Sequence, residues 1–271
     1  MSKAIGLLFV AIVLAVALPL LSGSFAADLK STDVSGDALF QTSTLSALNA
    51  GVFDGTLTFK ELKTHGDTGV GTFNHLDGEM IEVDGNIYQV KSDGVAYPVN
   101  DSMKTPFAEV AFFKPEQTVQ INGTMNLTSI EKYLQGKVFT KNAFYAVRID
   151  GTFDYIKTRS VPAQREPYPV LTEAVKGQKI FEFHNQTGTV VGFWCPDYMK
   201  TLNLPGYHLH FINLARSAGG HLLDLSANNI SIKLDRLSEF EMDLPTCGDF
   251  YNTSLAGDVQ SDLKKVEANT K

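Results

Sequence analysis

Short runs that alternate between apolar and polar residues dominate this chain, and alternation of period two predicts half-buried strands. The first structured stretch departs from that pattern. In DALFQTSTLSALNAGVFDG, residues 37–55, Leu39, Leu45 and Leu48 are near helical spacing and Asn49-Ala50-Gly51 supplies a stop, which predicts a helix. Strands follow. TLTFKEL at 56–62 alternates. GEMIEVDGNIYQVKSDGVAYPV at 78–99 places Asp84-Gly85 between two alternating runs, a strong hairpin signal. AEVAFFKP at 108–115 and QTVQINGTM at 117–125 read as further strands. TSIEKYLQGK at 128–137 reads as a short helix, capped by Thr128 or Ser129 and ended by Gly136.

A second β-rich region begins near residue 140. NAFYAVRIDGTFDYIKTRSV at 142–161 predicts a hairpin about Asp150-Gly151, and KIFEFHNQTGTVVGFWCP at 179–196 another about Asn185 to Gly188. GYHLHFINLARSAGGHLLDL at 206–225 and NISIKLDRLSEFEMDLP at 229–245 add more strands. DVQSDLKKVE at 258–267 is helical by the spacing of Val259, Leu263 and Val266. The sum is a mainly β, α+β fold with few short helices. A mixed or antiparallel sheet spans residues 27–138, and an open β-barrel-like domain with a C-terminal helix spans 139–271.

The N-terminus stands outside this pattern. Lys3 precedes an uninterrupted apolar run from Ala4 to Leu21, followed by Ser24-Phe25-Ala26. This predicts a secretory signal over residues 1–26, cut after Ala26, and a secreted or extracytoplasmic mature chain without a membrane segment. A retained anchor is the alternative, because the run is nearly long enough to span a bilayer. Export places Cys195 and Cys247 in an oxidising compartment, as one disulfide or as two thiols. Asn122, Asn126, Asn185, Asn229 and Asn252 each begin an Asn-x-Ser/Thr triplet. A glycosylating host could modify them; the preferred reading is that they are turn residues.

Hydrophobic content of 44% and charged content of 20% are ordinary for a globular protein, and the 271 residues suffice for a sizeable core. A formal net charge of −7 argues against nucleic acid and anionic membrane as partners, since both need basic patches.

Residues 206–225 hold three of the six histidines. On a strand His208 and His210 project to one side, their Cα atoms ~6.5 to 7 Å apart, a spacing from which two imidazoles can meet one ion. His221 opens the next strand. With LARSAGG as a loop of about seven residues, His221 pairs near Ile212 and lies diagonal to His210, within reach of the same ion. Three neutral imidazoles suit zinc, and three protein ligands with a position left open are the catalytic pattern. The alternative is a histidine pair hydrogen-bonded on a sheet surface. His65, His75 and His184 lack such partners and read as surface or turn residues.

Five stretches in order resemble the acetolactate decarboxylases: LFQTSTLSALNAGVFDG, GTFNHLDGEMIEVDGNIYQV, PFAEVAFF, NAFYAVRIDGTFDYIKTRSVP and PGYHLHFINLARSAGGHLLD. The resemblance covers roughly residues 37 to 267. It implies a two-domain β fold, a homodimer, 2-acetolactate as substrate, acetoin as product, and Zn2+ on His208, His210 and His221. It also implies catalytic roles for Thr72, Glu79, Arg159 and Glu267, the last matched only by position and its "VE" context.

These residue types suit the chemistry. Loss of CO2 from acetolactate leaves an electron pair that the neighbouring ketone accepts as an enediolate, so no organic cofactor is needed. The reaction needs a Lewis acid at the ketone oxygen, an arginine to orient the carboxylate and an acid to protonate one face of the enediolate. Arg159 is the candidate anchor, and Glu79 and Glu267 the candidate acids. Two rivals remain: another three-histidine zinc lyase or hydratase, of which the carbonic anhydrases are an example, and a secreted β binding module without catalysis. A cupin-type site is disfavoured because Leu214 and Ala215 stand where its glutamate would fall.

Overall fold

A computed structural model of the chain describes residues 36–256 apart from Phe139. The expected signal segment, the C-terminal helix and Glu267 lie outside the described residues. Among the described residues no helix is long and apolar enough to cross a membrane.

Two sheets make the body. The first is seven-stranded in the order β14-β1-β8-β3-β4-β5-β6, with β1 at Ala38–Thr42, β3 at Thr68–Thr72, β4 at Glu79–Val83, β5 at Asn86–Val90, β6 at Ala96–Pro98, β8 at Ala108–Ala111 and β14 at Glu239–Asp243. All its neighbours are antiparallel except β1 and β14, so the sheet is mixed. β2 (Leu57–Thr58) and β7 (Lys104–Thr105) form a separate pair. The second sheet contains β9 (Gln117–Asn126), β10 (Phe144–Ser160), β11 (Lys179–Cys195), β12 (Gly206–Asn213) and β13 (Gly219–Leu237). Because β13 also pairs with β10, this sheet curls into a barrel-like form. The mainly β architecture expected from the alternation is therefore present. β9 joins the second sheet and β14 the first, so each half of the chain contributes a strand to the other half's sheet.

Alternation along each strand assigns the faces. Val70, Ile81, Val83 and Ala111 of the first sheet meet Ala146, Val191, Phe193 and Ile212 of the second in a shared core. Met80, Ala108 and Val110 point the other way, onto Phe59 and Leu62 of α2 (Phe59–Leu62). Inside the second sheet, Val147, Phe153, Phe211, Ile230 and Ile232 pack with Ile130 and Leu134 of α3 (Leu127–Gln135). The remaining helices are short: α1 at Leu45–Asn49, α4 at Leu171–Ala174 and α5 at Asp249–Asn252.

Several local expectations change. Residues 37–55 hold a buried strand, β1, before α1, because Ala38 to Thr42 is covered on both faces and needs no helical stripe. Likewise TLTFKEL is mostly α2, entered through a capping box between Thr58 and Glu61. Asn126, not Thr128 or Ser129, caps α3 by accepting from the Ser129 amide. The Asp84-Gly85 turn forms as read, both residues having positive φ. Asp150-Gly151 and Asn185–Gly188 do not turn. They lie within the continuous strands β10 and β11. Gly151 is needed there for room, since a Cβ would stand 2.7 Å from the Ile230 Cγ2. Asn185 and Asn229 adopt positive φ inside β11 and β13, so they are strand residues and not the turn residues expected of those triplets. Cys195 is buried, Cys247 is exposed, and the two are unpaired.

Candidate active site

The three histidines stand on adjacent strands of the second sheet. His210 of β12 is directly opposite His221 of β13, and His221 is directly opposite Arg159 of β10. One row thus carries an arginine and two histidines across three strands. This corrects the diagonal placement expected above. Only residues 214–218 join β12 to β13, and Ile212 pairs with Gly219. The Asn213 side chain tightens the connection by accepting from the amides of Ser217 and Ala218, and Arg216 takes a positive φ. The glycines before His221 are steric requirements. Gly220 has φ +136, and a Cβ there would stand 2.5 Å from the Arg159 carbonyl oxygen. Gly192 opposes the other ligand strand just as closely, 1.9 Å from the His208 carbonyl oxygen.

Ring orientations are set by partners. Met80 O accepts from His210 Nδ1 at 2.8 Å, and a carbonyl can only accept, so His210 presents an unprotonated Nε2. His208 Nδ1 donates to Glu109 Oε1 at 2.8 Å, which leaves its Nε2 free in the same way. His221 Nδ1 stands 3.2 Å from His210 Nε2. One ligand atom from each of the three residues lies within 4.8 Å of the others. A tetrahedral ion bound at ~2.0–2.1 Å holds its nitrogens about 3.3 Å apart, so the donor set fits a zinc-like ion. Burial pushes His210 and His221 well below the ordinary histidine range. The neighbouring His208 adds to this for His210, and the Arg159 charge for His221. Both are therefore neutral, the form that binds metal.

A cavity of about 630 Å³, counting its open mouth, lies against this row. His208, His221, Arg159, Thr72 and Glu79 all line it, and with buried His210 beside Glu79 the six expected site residues among the described ones converge. Glu79 opens β4, pairs with Thr72 of β3, and faces the second sheet by the same alternation that sends Ile81 and Val83 into the shared core. Its Oε2 is 3.9 Å from His210 Nε2. Burial raises the Glu79 carboxyl above its usual range, against the opposing pull of Arg159, His208 and the Val161 amide. Thr72 Oγ1 donates to Gly78 O at 2.7 Å, clamping the turn that delivers Glu79. Arg159 Nη1 donates to Gln178 Oε1 at 3.0 Å, while its buried Nε has no partner. The opposite wall is apolar, built from Leu45, Leu48, Phe107, Leu171, Val175 and Leu204.

A sequence profile of the family described as alpha-acetolactate decarboxylase matches residues 39–257. The chain belongs to the alpha-acetolactate decarboxylase family. It is 52% identical over 231 residues to the alpha-acetolactate decarboxylase of Methanosarcina mazei, covering 85% of this chain and 80% of that one. Against the Methylococcus capsulatus family member it is 44% identical, covering 84% and 88%. The crystal structure of alpha-acetolactate decarboxylase from Bacillus subtilis strain 168 superposes with a TM-score of 0.83 at 40% identity, covering 85% of this chain and 99% of that one.

Sequence reasoning missed three residues that hold this site together: Glu109, Met80 through its carbonyl, and Gln178. Glu109 was legible in principle. It is the lone charge in the apolar run PFAEVAFF, and a carboxylate inside a buried strand needs a partner. The others act through backbone or amide groups that carry no pattern in sequence.

Proposed function

We propose that this chain decarboxylates 2-acetolactate to acetoin and CO2, with zinc held by His208, His210 and His221. The observation that carries the reading is the convergence of three imidazoles, two of them held neutral by burial, a buried arginine with an unpartnered Nε and a buried carboxyl on one cavity. Family membership points to the same reaction.

Arg159 binds the substrate carboxylate. Gln178 fixes one end of the guanidinium and leaves the Nε edge to form the two-pronged pairing that arginine makes with carboxylates. His208, His210 and His221 would hold the ion, which when bound would supply a Lewis acid for the ketone oxygen, where negative charge develops as CO2 leaves. Glu79 holds the proton. Burial raises the carboxyl above its usual range, against the opposing pull of Arg159, His208 and the Val161 amide, which favours the protonated form as the donor to the enediolate carbon. Thr72 positions Glu79 through the Gly78 turn. Because Glu79 sits on one sheet and the imidazoles on the other, the proton arrives from one face, which suits a single acetoin enantiomer. Glu267 is a second carboxyl for this step on the strength of the resemblance alone. In the same reading the mature chain is exported after cleavage behind Ala26 and pairs as a homodimer; N-terminal sequencing and light scattering of the secreted protein check both.

The deciding experiment measures metal content of the mature protein and acetoin formation from racemic 2-acetolactate before and after chelation. Zinc near one ion per chain, with activity lost on chelation and restored by zinc, is expected. Activity that survives complete metal removal sinks the mechanism, and a folded protein that neither binds metal nor makes acetoin supports a binding module instead.

A further inference from the structure

Glu109 is the only charged residue of β8, and it is fully buried facing the second sheet. Both of its oxygens are engaged. Oε1 accepts from His208 Nδ1 at 2.8 Å, and Oε2 accepts from Asn203 Nδ2 at 2.7 Å. Asn203, also fully buried, gives its other Nδ2 hydrogen to Gln41 Oε1 at 2.7 Å and accepts from the Leu204 amide at 2.5 Å. Gln41 in turn donates to the carbonyls of Ser43 and Leu202, each at 2.8 Å. A saturated chain of hydrogen bonds therefore runs from a ligand ring to the segment that ends in Leu204, a wall of the cavity.

The same segment is docked on α1. The Leu45 amide donates to Leu202 O at 2.9 Å, and Ser46 donates to Thr201 O from its amide at 3.2 Å and its hydroxyl at 2.8 Å. Leu45 and Leu48 are cavity wall as well. His208 and the apolar wall opposite it thus belong to one hydrogen-bonded body, with Glu109 as the joint.

We propose that Glu109 is a positioning residue with two effects: it fixes His208 as an Nε2 ligand for the ion, and through Asn203 it ties that ligand to the Leu204 wall of the substrate cavity. This rests on the reading that the three histidines hold an ion. A carboxyl oxygen accepting the Nδ1 hydrogen makes Nε2 a better donor to the ion and locks the tautomer. The buried carboxylate cannot be left half-paired without a large desolvation penalty. If Asn203 shifts, Glu109 follows, and with it the ring of His208.

The test uses the full mature chain as wild type, Glu109→Gln and Asn203→Asp. Glu109→Gln keeps the shape, but its amide can satisfy only one neighbour: with the oxygen towards His208, its hydrogens oppose those of Asn203. Zinc affinity is read by competition with a chelator of known affinity, ligand geometry by the visible spectrum of the cobalt-loaded protein, and the fold by the metal-free melting midpoint. Wild type should bind one zinc per chain, and Glu109→Gln should bind 10- to 100-fold more weakly with an altered cobalt spectrum. Asn203→Asp, which sets two carboxylates against each other, should weaken zinc binding and raise KM for 2-acetolactate together. Wild-type zinc affinity and cobalt spectrum in Glu109→Gln would overturn the proposal and leave the metal reading standing. Failure of wild type to bind zinc would overturn the metal reading itself. Should Glu109→Gln not fold, Asn203→Asp decides, and a change in KM without any change in zinc affinity would sink the coupling.

Discussion

Glu82 offers a quantitative test of the core. It lies on β4, three residues beyond Glu79, but alternation points it with Met80 away from the second sheet and towards the α2 side. It is fully buried, and neither carboxyl oxygen has a hydrogen-bond partner. Burial, reinforced by the negative charge of Asp67 and opposed by Lys63, pushes its pKa up to about 8 from an ordinary 4.5. The folded value lies above the unfolded one, so the contribution of Glu82 to stability is fully present below pH 4.5 and is lost as pH rises towards 8. At about 1.4 kcal/mol per unit, the loss across that window is on the order of 4 to 5 kcal/mol. Glu82→Gln keeps the side-chain shape and removes the ionisation. Denaturant titrations of wild type and variant at pH 5 and pH 8.5 should give similar stabilities at the lower pH and a variant more stable by several kcal/mol at the higher one. Every other titrating group is common to both proteins and drops out of the difference. Parallel pH dependences, with the gap unchanged between pH 5 and 8.5, would refute the claim that Glu82 is held protonated.

The functional residues make further predictions. Arg159→Lys keeps the charge but loses the planar pair of donors; the loss of one charge-assisted hydrogen bond, about 1.5–3 kcal/mol, should lower kcat/KM for 2-acetolactate by roughly 10- to 100-fold. Glu79→Gln should lower kcat by about 10² to 10⁴ while zinc content stays unchanged, as single-turnover acetoin assays and metal analysis would register. Gly220→Ala should destabilise the protein by at least about 1–3 kcal/mol in thermal melts, because the new Cβ meets the Arg159 carbonyl at a φ of +136.

Much of the fold was legible because burial leaves a period in the sequence. The β4–β5 hairpin was readable from Asp84-Gly85, which occupies the positive-φ pair that a two-residue turn requires. The same dipeptide at Asp150-Gly151 misled, since glycine serves close packing as readily as turning, and at Gly151 it makes room for Ile230. β1 was mistaken for helix because a strand covered on both faces has no alternation to display. At the site, His208 and His210 were readable from strand geometry, whereas the register of His221 was not. That register depends on how Asn213 closes the loop, through contacts between side chain and backbone that spacing does not encode. Glu79 and Arg159 came from the resemblance, not from pattern, since either could be an exposed charge on a strand end.

The position of the site follows from the two-sheet construction. The face of β4 that carries Ile81 and Val83 into the shared core carries Glu79 into the cavity, and the face of β12 that carries Ile212 into that core carries His208 and His210. The cavity is therefore the end of the inter-sheet core, with polar residues substituted into rows that are elsewhere apolar. Each sheet supplies different chemistry: imidazoles and guanidinium from the second, the carboxyl and its threonine clamp from the first. Facing sheets pack about 10 Å apart, a gap fixed by the side chains between them. The apolar core thereby sets the distance between the ligand row and Glu79. The burial that raises the Glu79 pKa and lowers those of His210 and His221 comes from the same packing. A substitution at Ile81 or Val83 reaches the chemistry by changing that gap, without touching any residue that meets the substrate.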